Sequence, residues 1–173
     1  MVDVSSVVAD IPRTGLGDLL SGLIARFDAY RPKLEAASGG AGVPLSSVRI
    51  RPPVPKPGNI VCMAVIYMEN GTLPKKPQIN AFHKAATAII GPGDTMVLPD
   101  EPATIFEGEA EMALVISKRA SNVSAANAMD HVFGFMNFID GSARGLASAG
   151  FFAMKSRATF APIGPFLVTK DEI

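Results

Sequence analysis

Residues 106–116 read Phe-Glu-Gly-Glu-Ala-Glu-Met-Ala-Leu-Val-Ile, an apolar stretch with three carboxylates in its first half. Side chains alternate between the two faces of a strand, so Glu107, Glu109 and Glu111 share one face. Clustered anions beside an apolar core repel one another and lose hydration, so protons, basic side chains or a cation must neutralise them. A hard divalent ion is the simplest such partner. The stretch therefore predicts a strand that carries an acidic, metal-binding face.

A second apolar run, residues 133–139, leads directly into Asp140 and then into Gly141-Ser142-Ala143-Arg144-Gly145. An aspartate at the end of a hydrophobic strand, followed by a glycine turn and an arginine, is typical of a carboxylate with a defined position. Glu-x-Glu spacing alone is a weak signal, because most such pairs lie on solvated strand faces. Together with Asp140, the spacing favours a shared metal site.

Composition limits the classes of protein that this chain can represent. The 173 residues are 48% hydrophobic and carry a formal net charge of zero, which indicates one ordinary core and no electrostatic reason to bind nucleic acid or an anionic membrane. The single cysteine, Cys62, excludes an internal disulfide framework, and its apolar neighbours indicate a buried thiol. The sequence shows no signal peptide and no run long enough to span a bilayer. We therefore expect a cytoplasmic protein.

The first third of the chain predicts a small region of its own. Apolar residues at helical spacing predict an amphipathic helix that packs on the core and that Pro32 ends or interrupts; they are Leu16, Leu19, Leu20, Leu23, Ile24 and Phe27. Three glycines within residues 39–42 and four prolines within residues 52–57 then predict an extended passage. We expect a small N-terminal region over residues 1–56 and a catalytic region over residues 57–173. Short β runs dominate the second region, so the fold class is α+β and mostly β.

An ordered series of segments between about Pro57 and Pro165 resembles the fumarylacetoacetate hydrolase family. Each segment is short, and the specificity lies in the whole series appearing in order. The segments are Pro-Gly-Asn-Ile-Val-Cys at 57–62, Gln-Ile-Asn-Ala-Phe-His-Lys with an F-x-K motif at 78–84, Ala-Ile-Ile-Gly-Pro-Gly-Asp at 88–94, the acidic strand at 106–116, Asp-x-Ser-Ala-Arg at 140–144, and Phe-Ala-Pro-Ile-Gly-Pro at 160–165.

The resemblance implies a mixed β-roll with a partly open barrel, incomplete at the C-terminus. Family members usually continue for about a hundred residues beyond the point where this sequence stops, enough for half a domain. Such a part would expose strand edges and apolar surface. We therefore expect a homo-oligomer such as a dimer, or a complex with a separate C-terminal half.

The same resemblance implies the residues of the site. Glu109, Glu111 and Asp140 would hold Mg²⁺, Mn²⁺ or Ca²⁺, since all-oxygen ligation suits these ions and disfavours zinc. Glu107 does not match a ligand of the family. Lys84, in the F-x-K motif, is a predicted catalytic residue that neutralises an oxyanion or binds a substrate carboxylate. Lys155, ahead of residues 160–165, is a predicted catalytic residue that turns toward the metal pocket. Solvated surface lysines are the alternative. Arg144 orients Asp140 or another carboxylate, or is structural.

The sequence departs from the family where many relatives carry N-Y-x-x-H-x-x-E, whose His and Glu help to activate water. Ile66, Asn70 and Leu73 replace the Asn, the His and the Glu. Glu69 is the carboxylate left nearby that could act as the base. His83 and His131 are not spaced as a pair of metal ligands, and we assign them no catalytic role.

The resemblance therefore implies a metal-dependent hydrolase that cleaves a carbon–carbon bond in a small 2-oxo acid or 1,3-dicarbonyl, in aromatic or amino-acid catabolism. A decarboxylase or isomerase of the same family is the alternative, as is a non-catalytic fragment or assembly subunit. The candidate metal ligands favour an enzyme. The missing water-activating pair and C-terminal half favour the non-catalytic interpretation.

Overall fold

Two long strands dominate a chain that otherwise consists of short helices and strands. The computed structural model describes residues 1–65, 75, 78–147 and 150–173. In chain order, the helices and strands are α1 (Asp18–Ala25), α2 (Phe27–Ser38), β1 (Ile60–Ala64), β2 (Asn80–Lys84), β3 (Ile89–Ile90), β4 (Ile105–Ile116), β5 (Val132–Arg144), α3 (Phe151–Lys155), β6 (Ala161–Pro162) and β7 (Val168–Thr169). Among the described residues, 3-10 helices lie at Leu45–Ser47, Ala86–Ala88, Ala125–His131 and Lys170–Glu172. The predicted α+β class is confirmed.

The two apolar runs of the sequence form the long antiparallel pair of β4 and β5. Their register runs from Ile105 opposite Arg144 to Ile116 opposite Val132, with an irregularity between Val115 and Ile116. β7 pairs with the other edge of β5, which gives a three-stranded sheet of order β4-β5-β7. β1 pairs with β2 in an antiparallel manner, and β3 pairs with β6 in parallel. The described strands thus form three small sheets and no closed barrel, and the predicted β-roll stays a prediction.

The main core lies where β1, β2, β5 and β6 meet. All but one of its buried members are small or aromatic, and Ile163 is the exception; small side chains let the short strands approach one another closely. The members are Cys62, Ala64, Phe82, Ala88, Phe138, Ala161 and Ile163. The ring of Phe151 in α3 stacks on Phe82, with ring centroids 4.7 Å apart. This contact fixes α3 over β2, so the last residue of α3 lies beside the end of β2.

A second, smaller cluster joins the N-terminal helices to the chain before them. Val8, Ile11 and Tyr30 are buried together, and the Tyr30 hydroxyl donates to Oδ1 of Asp10 at 2.7 Å. The predicted division at residue 56 stays a prediction. No helix in the described parts of the chain has the length and apolar character needed to cross a membrane.

The prediction that Pro32 ends or interrupts the N-terminal helix is wrong. The helical stretch breaks earlier, at Arg26, whose backbone angles (φ −126°, ψ 24°) are not helical. Pro32 lies inside α2, where it removes one backbone hydrogen bond. The buried and hydrogen-bonded Tyr30 anchors the first turn of α2 to the preceding segment, and this packing outweighs the loss.

We predict that Gly134→Ala destabilises the fold by displacing β7. Gly134 pairs with Thr169, and a Cβ at Gly134 would lie 2.1 Å from the Val168 carbonyl oxygen. Because the obstacle is backbone, relief requires strand movement, and the expected loss in free energy of unfolding is about 1–3 kcal/mol. Gly58→Ala is the matched control, since a Cβ there meets nothing within 4 Å and should change stability by less than about 0.5 kcal/mol. Equal denaturant midpoints for the two variants would contradict this placement of β7.

Candidate functional site

The register of β4 and β5 brings three carboxylates together. Glu109 lies directly opposite Asp140, and Glu111 lies two residues further along the same face of β4. One oxygen from each of the three residues lies within 4.8 Å of the others. Two oxygens that both ligate one Mg²⁺, Mn²⁺ or Ca²⁺ ion are at most about 5.2 Å apart, so this spacing fits a shared ion. The three residues predicted from the sequence as metal ligands therefore form one cluster.

Asp140 is fully buried between two buried lysines. Its relative exposure is 1%, and those of Lys84 and Lys155 are 3% and 4%. The Lys84 ammonium lies 2.5 Å from Oδ1 of Asp140, and the Lys155 ammonium lies 2.5 Å from Oδ2. Lysines are normally exposed, and buried ones need a charged partner. The alternative of solvated surface lysines is therefore excluded for both residues.

The Lys84 ammonium is fully committed to protein acceptors. Besides Asp140, it donates to the carbonyl oxygen of Gly141 at 3.0 Å and to that of Lys155. Three acceptors use the three hydrogens of an ammonium group. Burial lowers the pKa of Lys84, and the hydrogen bond to Asp140 opposes that shift. Lys84 thus ties β5 at Asp140 to the end of α3. The glycine turn predicted after Asp140 is wrong, because β5 continues in register with β4 to Arg144.

Lys155 bridges two of the three carboxylates. Besides Asp140, its ammonium donates to Oε1 of Glu109 at 2.7 Å. It also lies 5.2 Å from the centroid of the Phe82 ring, a distance typical of a cation–π contact. These contacts place one positive charge between Glu109 and Asp140, and they leave one ammonium hydrogen that donates to none of the described residues.

Glu109 is the most heavily hydrogen-bonded of the three carboxylates. Its Oε1 also accepts from Ser142 Oγ at 2.6 Å and from Arg144 Nη2 at 2.7 Å. Burial alone would raise the pKa of Glu109, but the hydrogen bonds from Lys155 and Ser142 outweigh it and the pKa is lowered. Glu109 is therefore held as a carboxylate.

Arg144 and Ser142 complete the surroundings of Glu109. Arg144 Nε donates to Oε2 of Glu107 at 2.7 Å, so the guanidinium joins Glu107 to Glu109 rather than contacting Asp140. Glu107 lies outside the three-carboxylate cluster, in agreement with the sequence. Ser142 was not singled out in the sequence, although strand alternation from Asp140 places it on the same face.

Glu111 differs from its two neighbours in having no donor among the described residues. Burial, followed by the charges of Asp140 and Glu109, raises its pKa. A carboxylate in this position is stabilised either by a proton or by a cation. The uncompensated charge of Glu111, together with an all-oxygen donor set, fits a hard divalent ion such as Mg²⁺, Mn²⁺ or Ca²⁺.

Among the described residues, the remaining polar candidates lie away from the carboxylate cluster or are inert. Glu69, predicted as a base, lies outside the described residues. His83 is exposed on the face of β2 opposite to Lys84, and His131 ends the 3-10 helix that precedes β5. Burial, followed by the charge of Asp140, raises the pKa of the Cys62 thiol to about 12, so this thiol is not a nucleophile at neutral pH.

Comparisons with known proteins relate residues 61–173 to a single family. This segment matches the family model described as fumarylacetoacetate (FAA) hydrolase C-terminal. The mitochondrial oxaloacetate tautomerase FAHD2A of Bos taurus is 39% identical over 140 residues, which cover 76% of this chain and 44% of that protein. The oxaloacetate tautomerase YisK of Bacillus subtilis (strain 168) is 34% identical over 139 residues, covering 75% of this chain and 46% of that protein.

A solved structure extends the similarity to the fold. The maleylpyruvate hydrolase from Sphingobium sp. SYK-6, in complex with manganese(II) ion and pyruvate, superposes with a TM-score of 0.84 at 30% identity. The match covers 99% of this chain and 61% of that chain. The present chain thus spans less than two thirds of each of these three proteins.

We predict that Glu111→Gln weakens Mn²⁺ binding by more than about 10-fold, since changing even an outer partner of a metal ligand costs about 10–100-fold. The glutamine keeps the size of the side chain but removes the charge that lacks a donor among the described residues. Isothermal titration calorimetry on EDTA-treated protein measures the effect. Glu35→Gln, on the exposed surface of α2, is the matched control and should bind as the wild type does. Equal affinities for all three proteins would exclude Glu111 from the site.

When no metal is present, Glu111→Gln should make the folded protein more stable. The raised pKa of Glu111 means that its ionised form destabilises the folded state, so stability is lost as pH rises through the folded-state pKa. At pH 7.5 in EDTA, Glu111→Gln should therefore melt at a higher temperature than the wild type. In excess Mn²⁺ the order should reverse, because the ion stabilises the protein that binds it more tightly by the larger amount. The same order in both solutions would refute this account of Glu111.

Proposed function

The chain belongs to the fumarylacetoacetate hydrolase family, and we propose that it forms the metal-binding part of an active site for a small 2-oxo acid. The observation that carries the proposal is the convergence of Glu109, Glu111 and Asp140 beside two buried lysines. A cluster of buried charges with shifted pKa values is costly to fold and is typical of catalytic sites. The family relatives named above are enzymes that act on oxaloacetate and maleylpyruvate, by their names.

Tautomerisation of a 2-oxo dicarboxylic acid such as oxaloacetate is the reaction we favour. It removes a proton from the enol oxygen and adds one to the other carbon of the enol double bond, consumes no water and breaks no carbon–carbon bond. This suits a sequence in which Ile66, Asn70 and Leu73 replace the residues that would activate water. The similarity to the bovine and Bacillus tautomerases supports the same choice.

Hydrolysis of a carbon–carbon bond in an acylpyruvate is the second candidate. It is the reaction implied by the sequence resemblance, and the similarity to the maleylpyruvate hydrolase structure supports it. Decarboxylation and isomerisation require the same stabilisation of an enolate and differ in what happens to it afterwards. Hydrolysis alone requires an activated water, for which Glu69 stays the predicted base.

The charged residues would have three different roles, namely metal binding, neutralisation of substrate charge and positioning of Asp140. A divalent ion bound by Glu109, Glu111 and Asp140 would supply Lewis-acid chemistry by drawing electron density from the 2-oxo acid. Lys155, with one uncommitted hydrogen among the described contacts, would neutralise negative charge that develops on a substrate oxygen. Lys84 has no hydrogen to spare, so we assign it to holding Asp140 in place rather than to contacting the substrate.

We propose Mn²⁺ or Mg²⁺ as the ion, supported by the manganese in the Sphingobium structure. Ca²⁺ offers the same oxygen preference but is a weaker Lewis acid.

Association with a second copy or a separate C-terminal half is also a proposal. It is supported by the outer face of β4, where Met112, Leu114 and Ile116 are about half exposed. The cytoplasmic location stays a prediction, since the bovine relative is named as mitochondrial.

We predict that the purified chain, supplied with Mn²⁺, accelerates the loss of the oxaloacetate enol, followed by its ultraviolet absorbance. Lys155→Met should lower kcat by about 10²-fold or more, because it removes a buried positive charge at the oxyanion. His83→Ala is the control, since that side chain is exposed on the face of β2 opposite to Lys84. EDTA should abolish the activity of the wild type.

Assays with oxaloacetate and with acylpyruvates distinguish a tautomerase, a hydrolase and a non-catalytic assembly subunit. Metal-dependent cleavage of acylpyruvates without tautomerisation would replace the favoured reaction by the hydrolase. Binding of Mn²⁺ without turnover of either substrate, in a chain folded by circular dichroism, would support the non-catalytic assembly subunit. Equal rates for Lys155→Met and the wild type would remove Lys155 from the proposed mechanism.

A further inference from the structure

We propose that Ser142 and Arg144 are positioning residues that hold Oε1 of Glu109, so that Oε2 is the oxygen presented to the metal. The inference rests on the proposed metal site and adds to it the orientation of one ligand. Its basis is the convergence of donors on a single oxygen, Oε1, from Ser142 at 2.6 Å, Arg144 at 2.7 Å and Lys155 at 2.7 Å.

Ser142 has the most rigid attachment of the three donors. It lies opposite Glu107 in the register of β4 and β5, which makes it a diagonal neighbour of Glu109 on the same face. The residue is fully buried, so its hydroxyl needs a partner within the protein. Its Oγ lies 3.3 Å from the Asp140 carbonyl oxygen but 2.6 Å from Glu109 Oε1, and the single hydrogen belongs to the nearer, charged acceptor.

Arg144 fixes the same oxygen from the other side. The fork of its guanidinium donates through Nε to Glu107 and through Nη2 to Glu109, so its position is set by two carboxylates at once. Lys155 contributes the third hydrogen bond, but its ammonium is shared with Asp140 and is the group we assign to the substrate. Ser142 and Arg144 therefore remain as the residues whose contact with Glu109 has no other evident use.

Saturation of Oε1 decides how Glu109 can bind an ion. An ionised carboxylate offers about four lone-pair sites on two oxygens, or about two on each. Three donors on Oε1 leave it no capacity for a metal, whereas Oε2 accepts from none of the described residues. Glu109 would then bind through Oε2 alone, which leaves a coordination position for water or a substrate oxygen.

The test compares Mn²⁺ affinity and the number of metal-bound waters in the wild type and in Ser142→Ala. Electron paramagnetic resonance reports both, the first from the free-ion signal and the second from line broadening in ¹⁷O-labelled water. Ser142→Ala should bind Mn²⁺ about 10–100-fold more weakly. It should also hold fewer waters, because the two donors that remain can divide between Oε1 and Oε2, which leaves one lone-pair site on each oxygen for the metal. Ser117→Ala, which removes a hydroxyl bonded to the His131 carbonyl outside the site, should match the wild type in both measurements.

Arg144→Gln provides the same test on a partly exposed side chain, should Ser142→Ala fail to fold. It should likewise lower the affinity and the water count. Wild-type affinity and water count in both folded variants, or in Arg144→Gln alone if only it folds, would overturn the positioning roles while leaving the metal site intact. Absence of Mn²⁺ binding in the wild type itself would overturn the metal site, and the positioning roles with it.

Discussion

The antiparallel register between β4 and β5 is the constraint on which the rest of the site depends. Because side chains alternate along a strand, a slip of one residue would turn the carboxylates of β4 to the opposite face. The observed register places Glu109 against Asp140. The only irregularity described in this pairing lies between Val115 and Ile116, beyond the acidic half of β4. The apolar half of each strand therefore fixes the geometry of the charged half.

The three carboxylates differ in how far neighbouring donors compensate their negative charge. Asp140 is held by Lys84 and Lys155, and Glu109 by Ser142, Arg144 and Lys155. Buried ion pairs of this kind contribute little net stability, because desolvation cancels most of the attraction. Their effect is to fix orientation before any ion arrives. Glu111 alone is left with a raised pKa and without a donor in the described part of the chain.

Much of this arrangement could be predicted from the sequence, for reasons that particular residues make plain. Alternation along residues 106–116 and the aspartate after the second apolar run indicated that carboxylates converge, and the family resemblance selected Glu109, Glu111 and Asp140 among them. The burial of Lys84 and Lys155 was not predictable from composition, since lysine is normally exposed, and only the family resemblance indicated their place. Strands of two residues, such as β3, β6 and β7, are too short to show any periodicity. Ser142 escaped notice because a serine gives no sign of burial by itself. The prediction that Pro32 ends or interrupts a helix was wrong because tertiary packing around Tyr30 outweighs local helix preference.

The groups that surround the three carboxylates also bear on whether the site would catalyse tautomerisation or hydrolysis. A tautomerase needs a group that stabilises the negative charge of the enolate and a group that carries the proton between oxygen and carbon, and the buried ammonium of Lys155 beside Glu109 and Asp140 would serve the first need. A hydrolase must in addition place and deprotonate a water on the far side of the same substrate. None of the groups that surround the carboxylates in the described residues is suited to that task, since Lys84 has committed its three hydrogens, Arg144 stays protonated, and Ser142 donates to Glu109. These described groups support the proposed tautomerisation, and hydrolysis stays the second proposal, with Glu69 as its predicted base.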